Sequence, residues 1–99
     1  MEMTLEEAKA YIRNLAYAGR VKCDGVSYIA RYGKSKRTAQ RIEEPLKVLG
    51  GKVWCYTEFD YRHSKYDTFR SWCDVTFDVG LDDNWLYNLV RGMEKPWRR

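Results

Sequence analysis

The sequence predicts an α+β domain: three helices in the first half, an antiparallel hairpin of long strands in the second, and one more helix near the C-terminal end. Three patterns predict it. Apolar residues recur at helical spacing from Leu5 to Ala16. The segment from Val26 to Gly51 divides around Gly33 into two short stretches that suit helices. Two later runs, residues 52–62 and 70–79, switch to a period of two. The chain of 99 residues suffices for one domain with a modest core. The expected organisation is a single unit over 1–99, with a three-helix core at 4–51, a hairpin at 52–79 and a helix at 82–94.

Each element has a local reason. Thr4-Leu5-Glu6-Glu7 is a capping box, in which the Thr4 hydroxyl takes a backbone N–H and Glu7 reaches back. Leu5, Ala8, Ile12, Leu15 and Ala16, with Tyr11 alongside, make the apolar stripe of the first helix, and Gly19 ends it. Residues 20–23 are too few for a helix and fit a brief strand. Asp24 or Ser27 opens a short second helix that ends at Gly33. Ser35 caps the third, whose apolar face is Ile42, Leu46 and Leu49, and Gly50-Gly51 stop it. Pro45 lies inside that helix and would cost roughly 3 kcal/mol there if unrelieved. The helix therefore kinks at Pro45, or ends early and resumes as a separate turn.

In the first strand of the hairpin Val53, Cys55, Thr57, Phe59 and Tyr61 alternate with Trp54, Tyr56, Glu58, Asp60 and Arg62. In the second, Cys73, Val75, Phe77 and Val79 alternate with Trp72, Asp74, Thr76 and Asp78. The polar tip runs from His63 through Lys65 to Asp67. Outward acids on both strands predict one wet face. Asp82 or Asp83 caps the last helix, which carries Trp85, Leu86, Leu89, Val90 and Met93 on one stripe and ends at Pro96.

Composition narrows the function. A hydrophobic fraction of 44% with 32% charged residues fits a globular chain. No run approaches the ~18 apolar residues of a membrane span, and the acidic start does not read as a signal peptide, so the expected location is the cytoplasm, with no membrane contact. Cys23, Cys55 and Cys73 have no C-x-x-C spacing, so neither a disulfide framework nor a zinc site follows, and the three are expected to be buried free thiols. With one histidine, no phosphate-cradling glycine loop and no nucleophile elbow, the chain does not read as an enzyme, and no metal or cofactor is expected.

The net charge of +4 leans toward a polyanionic partner, and its clustering says more than its size. Between Arg31 and Ile42 stand five cations (Arg31, Lys34, Lys36, Arg37 and Arg41) and no acid, interleaved with Ser35, Thr38 and Gln40. Phosphate oxygens and base edges demand that chemistry.

The order of elements, together with Y-G-K-S-K-R-T-A-Q-R and the leucine–glycine ending at Leu46 to Gly50, resembles the winged helix-turn-helix family, in particular bacterial repressors of the deoxyribose-operon type. The resemblance implies a three-helix bundle with a two- to three-stranded antiparallel wing and an extra C-terminal helix. It implies sequence-specific binding of double-stranded DNA by a small transcriptional regulator of phage or bacterial type. Lys36, Arg37, Gln40 and Arg41 would then face the major groove, Arg37 toward a guanine edge and Gln40 toward an adenine edge. Ser35 and Thr38 would bind phosphate, Lys34 and Arg31 would hold the backbone, and Arg62, His63 and Lys65 would touch a flanking phosphate or the minor groove. The stripe Trp85, Leu86, Leu89, Val90 and Met93 is the candidate homodimer surface.

Plainer readings stand beside these. A basic helix is often only a solvated face, and Trp54, Tyr56 and Trp72 suit strand packing as well as a stacking platform for single strands. The alternative function is a phage or mobile-element protein that binds and blocks a host protein through exposed aromatics.

Overall fold

The capping box forms as expected and starts α1 (Leu5–Tyr17): the Glu7 N–H donates to Thr4 Oγ1 at 3.1 Å and the Thr4 N–H to Glu7 Oε1 at 2.9 Å. Ala8, Ile12 and Ala16 give α1 its buried face. The computed structural model describes residues 2–33, 35–63 and 68–93, without the side chains of 61–63 and 68–70.

The next segment departs from expectation. Val21–Asp24 is strand β1, as the short run predicts, but Ser27–Tyr32 is a second strand, β2, and not a helix. The two make a tight hairpin in which Asp24 pairs with Ser27 across Gly25-Val26, with Gly25 at φ 70°. The physical reason lies in the burial of β2: Tyr28, Ala30 and Tyr32 are buried while Ile29 and Arg31 are only half-buried, a period of two. Aromatic and β-branched residues favour that state once a partner strand is present. Among the described residues no helix lies between α1 and the cationic segment, so the helix–turn–helix expected within 26–51 does not form.

The cationic segment itself is helical. α2 (Lys36–Ala39) passes through a 3₁₀ turn (Gln40–Ile42) into α3 (Glu43–Leu49). This is the interruption that Pro45 predicts. The tightened turn comes just before, and Pro45 falls in the first turn of α3, where a missing N–H is tolerated. α3 ends at Gly50, φ 81°, with the Gly51 N–H donating to the Leu46 carbonyl at 2.8 Å and the Gly50 N–H to Lys47 at 3.2 Å.

Strands β3 (Lys52–His63) and β4 (Thr68–Asp78) form the expected hairpin, and α4 (Asn84–Met93) follows. The hairpin is not a separate wing. β4 pairs with β2, so the sheet is four-stranded and antiparallel in the order β1-β2-β4-β3. The architecture is thus α+β with helices on one face of a sheet. The core joins Tyr28, Ala30, Tyr32, Cys73, Val75, Phe77 and Val79 of the sheet and its exit to Ile12, Ala16, Ile42, Leu46, Leu86 and Val90 of the helical layer. The opposite face carries Ile29, Arg31, Trp72, Asp74 and Thr76, each half-buried. Among the described residues no helix is long and apolar enough to cross a membrane.

Candidate nucleic-acid interface

Burial fixes which side of the α2–α3 segment faces solvent. Ala39, Ile42 and Leu46 are buried in the core, which turns Lys36, Arg37, Gln40 and Arg41 outward, all four exposed. Ser35 is exposed and Thr38 half-buried. The side chains of Lys36, Arg37 and Arg41 form no ion pair with a described carboxylate. Glu43, Glu44 and Lys47, also exposed, follow on the same helical path and bound the cationic stretch at Arg41.

The start of α2 differs from expectation. Ser35 makes no side-chain cap bond. The Lys36 N–H instead donates to Glu58 Oε2 of β3 at 3.1 Å, so a carboxylate of the chain itself takes the place where phosphate was expected. The Lys36 ammonium lies 5.3 Å from the Tyr56 ring centre, and the Tyr56 hydroxyl donates to Glu43. Burial and that acidic neighbour push the Tyr56 phenol well above its usual range. These contacts tie α2 and α3 down onto β3.

Arg31 belongs elsewhere. In β2 it alternates with the buried Ala30 and Tyr32, so it projects from the face opposite the helices. There its guanidinium donates twice to Asp74, from Nε at 2.7 Å and from a terminal nitrogen at 2.8 Å, and sits 5.1 Å from the Trp72 ring. The Asp74 hydrogen bond raises its pKa further. Arg31 is therefore already neutralised and separated by the sheet from Lys36, Arg37 and Arg41. Lys34 and Lys65 lie outside the described residues. Arg62 and His63 end β3, and their side chains lie outside the described set.

The expected dimer stripe is largely core. Leu86 and Val90 are buried, Trp85 and Leu89 pack half-buried against the same cluster, and only Met93 is exposed. Lys9 and Arg13 of α1 lie 5.7 and 5.9 Å from the Trp85 ring. No disulfide joins the three cysteines; burial, expected for all three, holds for Cys73 alone, with Cys23 half-buried and Cys55 exposed.

The open sheet face carries Trp54 and Trp72 of the aromatic surface that the sequence offers, while Tyr56 lies on the helical face opposite the buried Val75. Phe59 and Trp72 stack on the open face, with ring centres 5.0 Å apart and planes 20° apart. Trp54 is half-exposed, with the Lys52 ammonium 4.3 Å from its ring centre. The cross-strand pairs place Lys22, Arg31 and Lys52 on this face with Asp24, Asp74 and Asp78, so its described charges balance. Alternation predicts two-sided strands, but which side stays uncovered depends on where the helices dock. Among the described residues no cluster of His, Cys, Asp and Glu suits a metal. Comparison of the chain with protein-family models, with curated proteins and with solved structures finds no match.

Proposed function

We propose that this protein binds double-stranded DNA through Lys36, Arg37, Gln40 and Arg41, as a small regulator of phage or bacterial type. One observation carries the reading: three exposed cations, whose side chains form no ion pair with a described carboxylate, share the outer side of a helical segment whose inner side is locked into the core. A rigid row of that kind meets phosphates with little ordering cost. Lys36, Arg37 and Arg41 make the phosphate contacts, and Gln40, between the two arginines, has the amide needed to read an adenine edge. Because β2 replaces the expected preceding helix, the docking angle differs from that of a winged helix, and backbone contacts supply most of the affinity.

Three neutralised phosphates give a log–log salt slope of about −2.7, so tenfold more salt weakens binding by about 500-fold. Fluorescence anisotropy with a labelled duplex across salt concentrations tests this. Arg37→Ala and Arg41→Ala should each flatten the slope by about one unit. Binding that ignores both salt and these substitutions refutes the proposal. A second reading, capture of a host protein, is favoured by the stacked Phe59 and Trp72 on a face whose charges cancel. A stoichiometric partner retained through nuclease treatment, and lost on Trp54→Ala rather than Arg37→Ala, would select it.

A further inference from the structure

We infer that β3 is a self-association strand: two copies pair β3 with β3, antiparallel about Thr57, joining their four-stranded sheets into one. The two outer strands of the sheet are unequal, β1 with 4 residues and β3 with 12. An outer strand of that length presents a long row of backbone groups with no strand beyond it, and a short one does not. β3 is an outer strand of the sheet, Trp54, Cys55, Thr57, Glu58, Phe59 and Asp60 along it are exposed, and α2 and α3 pack on its helical face.

The register follows from the side chains. Pairing with β4 puts Val53, Tyr56, Glu58 and Asp60 on the helical face, with Cys55, Thr57 and Phe59 on the open one. A bulge between Val53 and Cys55 gives Trp54 and Cys55 together the place opposite Thr76. A two-fold axis at Glu58 would set Glu58 against the partner's Glu58, and one at Phe59 would set Glu58 against the partner's Asp60. Like charges directly opposite are destabilising. An axis at Tyr56 avoids this but leaves Trp54 facing only the partner's Thr57.

An axis at Thr57 resolves all three. The bulge pair Trp54 and Cys55 then faces the partner's Phe59, which extends the existing Phe59–Trp72 stack into a row of three aromatic rings crossing the interface twice. On the helical face Tyr56 faces the partner's Glu58. The Lys36 ammonium lies 5.3 Å from that Tyr56 ring and Glu43 accepts from the Tyr56 hydroxyl, so the incoming carboxylate shares one cation with Glu43, and the symmetric contact repeats it. Such a surface is self-complementary, as a two-fold interface requires. The balance of charge on the open face also suits a second copy of the chain better than a polyanion.

The test is the oligomeric state of the full chain without nucleic acid, so its outcome is independent of the DNA-binding reading. Sedimentation should show a monomer–dimer equilibrium at micromolar concentrations, and Trp54→Glu should weaken it at least tenfold. In a Cys55→Ser background, Thr57→Cys should form an intermolecular disulfide under mild oxidation, because the two-fold axis brings the opposed Cβ atoms to about 4.5 Å, the near end of the cross-strand range and within reach of a disulfide. Circular dichroism of the reduced variants verifies folding. Should a substituted chain fail to fold, amide exchange of the unaltered protein decides the matter: β3 should be protected more at high than at low concentration. A monomer at all concentrations, with β3 exchange independent of concentration, overturns the inference. A dimer that cross-links at Phe59→Cys but not at Thr57→Cys overturns the register.

Discussion

Replacing Gly51 with alanine should unfold this protein at a much lower temperature, although the change adds one methyl group at a position with an ordinary backbone conformation. The cause is the close approach of two chain segments. A Cβ built at Gly51 lies 2.1 Å from the Asp78 carbonyl oxygen and 2.6 Å from the Val79 Cα. Both are backbone atoms, so no rotamer change relieves the clash. Contact at a normal van der Waals distance requires the strands to separate by about 1 Å or more. Neither side yields easily: the Gly51 N–H closes α3 through its 2.8 Å bond to Leu46, and Val79 is 2% exposed. Overpacking of this kind costs about 1–3 kcal/mol, and a backbone-on-backbone clash belongs at the upper end. At about 4–8 °C per kcal/mol for a domain of this size, a 3 kcal/mol loss lowers Tm by about 12–24 °C. Gly92→Ala is the matched control. It lies in α4 with nothing within 4 Å of its Cβ, and should gain up to about 1 kcal/mol from helix propensity. Thermal and urea unfolding followed by circular dichroism measures both. A Gly51→Ala protein within about 0.5 kcal/mol of the parent would refute the close approach of β3 and β4 at this point.

Three further outcomes follow from contacts already described. Thr4→Ala removes the hydroxyl of the capping box and should cost about 1 kcal/mol in urea unfolding, with the far-UV helix signal otherwise retained. A double-mutant cycle on Arg31→Ala and Asp74→Ala should return a coupling of about 1 kcal/mol, modest because the Arg31 side chain is 42% exposed. Burial pushes the phenols of Tyr28 and Tyr32 well above their usual range, with Asp83 and Tyr11 respectively adding to the shift. A raised folded-state pKa gives stability that is complete below the unfolded value of about 10 and is lost as pH rises beyond it. Stability in urea unfolding should therefore hold to about pH 8 and then fall with rising pH, because the Tyr56 phenol and the Cys73 thiol are raised as well, and Tyr32→Phe should make the fall shallower by the share of one phenol, about 1.4 kcal/mol per pH unit above pH 10.

What the sequence reveals is what local chemistry decides. The Thr4 box, the glycine stop after Leu49, the Pro45 interruption and the alternation of 55–60 and 71–79 each depend on near neighbours and take their expected form, whereas the bulge after Val53 puts Val53 on the side opposite to the one expected. Ser27–Tyr32 does not take its expected form, because six residues with tyrosine, isoleucine and alanine satisfy a helical stripe and a strand alike. The choice falls to β4, whose Val75 and Phe77 pair with Ala30 and Tyr28 from far along the chain. The candidate site divides the same way. Exposure of Lys36, Arg37 and Arg41 follows from the spacing of Ala39, Ile42 and Leu46. The partners Glu58 and Asp74 that occupy the start of α2 and the Arg31 guanidinium are tertiary, and no local pattern announces them.

The pairing of β2 with β4 also sets the order in which the molecule can assemble. Tyr28 and Phe77 are neighbours in the sheet yet about fifty residues apart along the chain, so closing that contact is an entropically costly, slow step. During synthesis β2 emerges long before β4 and has β1 as its one strand partner until the ribosome has delivered most of the polypeptide. Docking of the two central strands is thus the event expected to limit the folding rate. Substitutions at Ala30 or Val75 should slow refolding more than changes in α4, whose contacts can wait until the sheet exists.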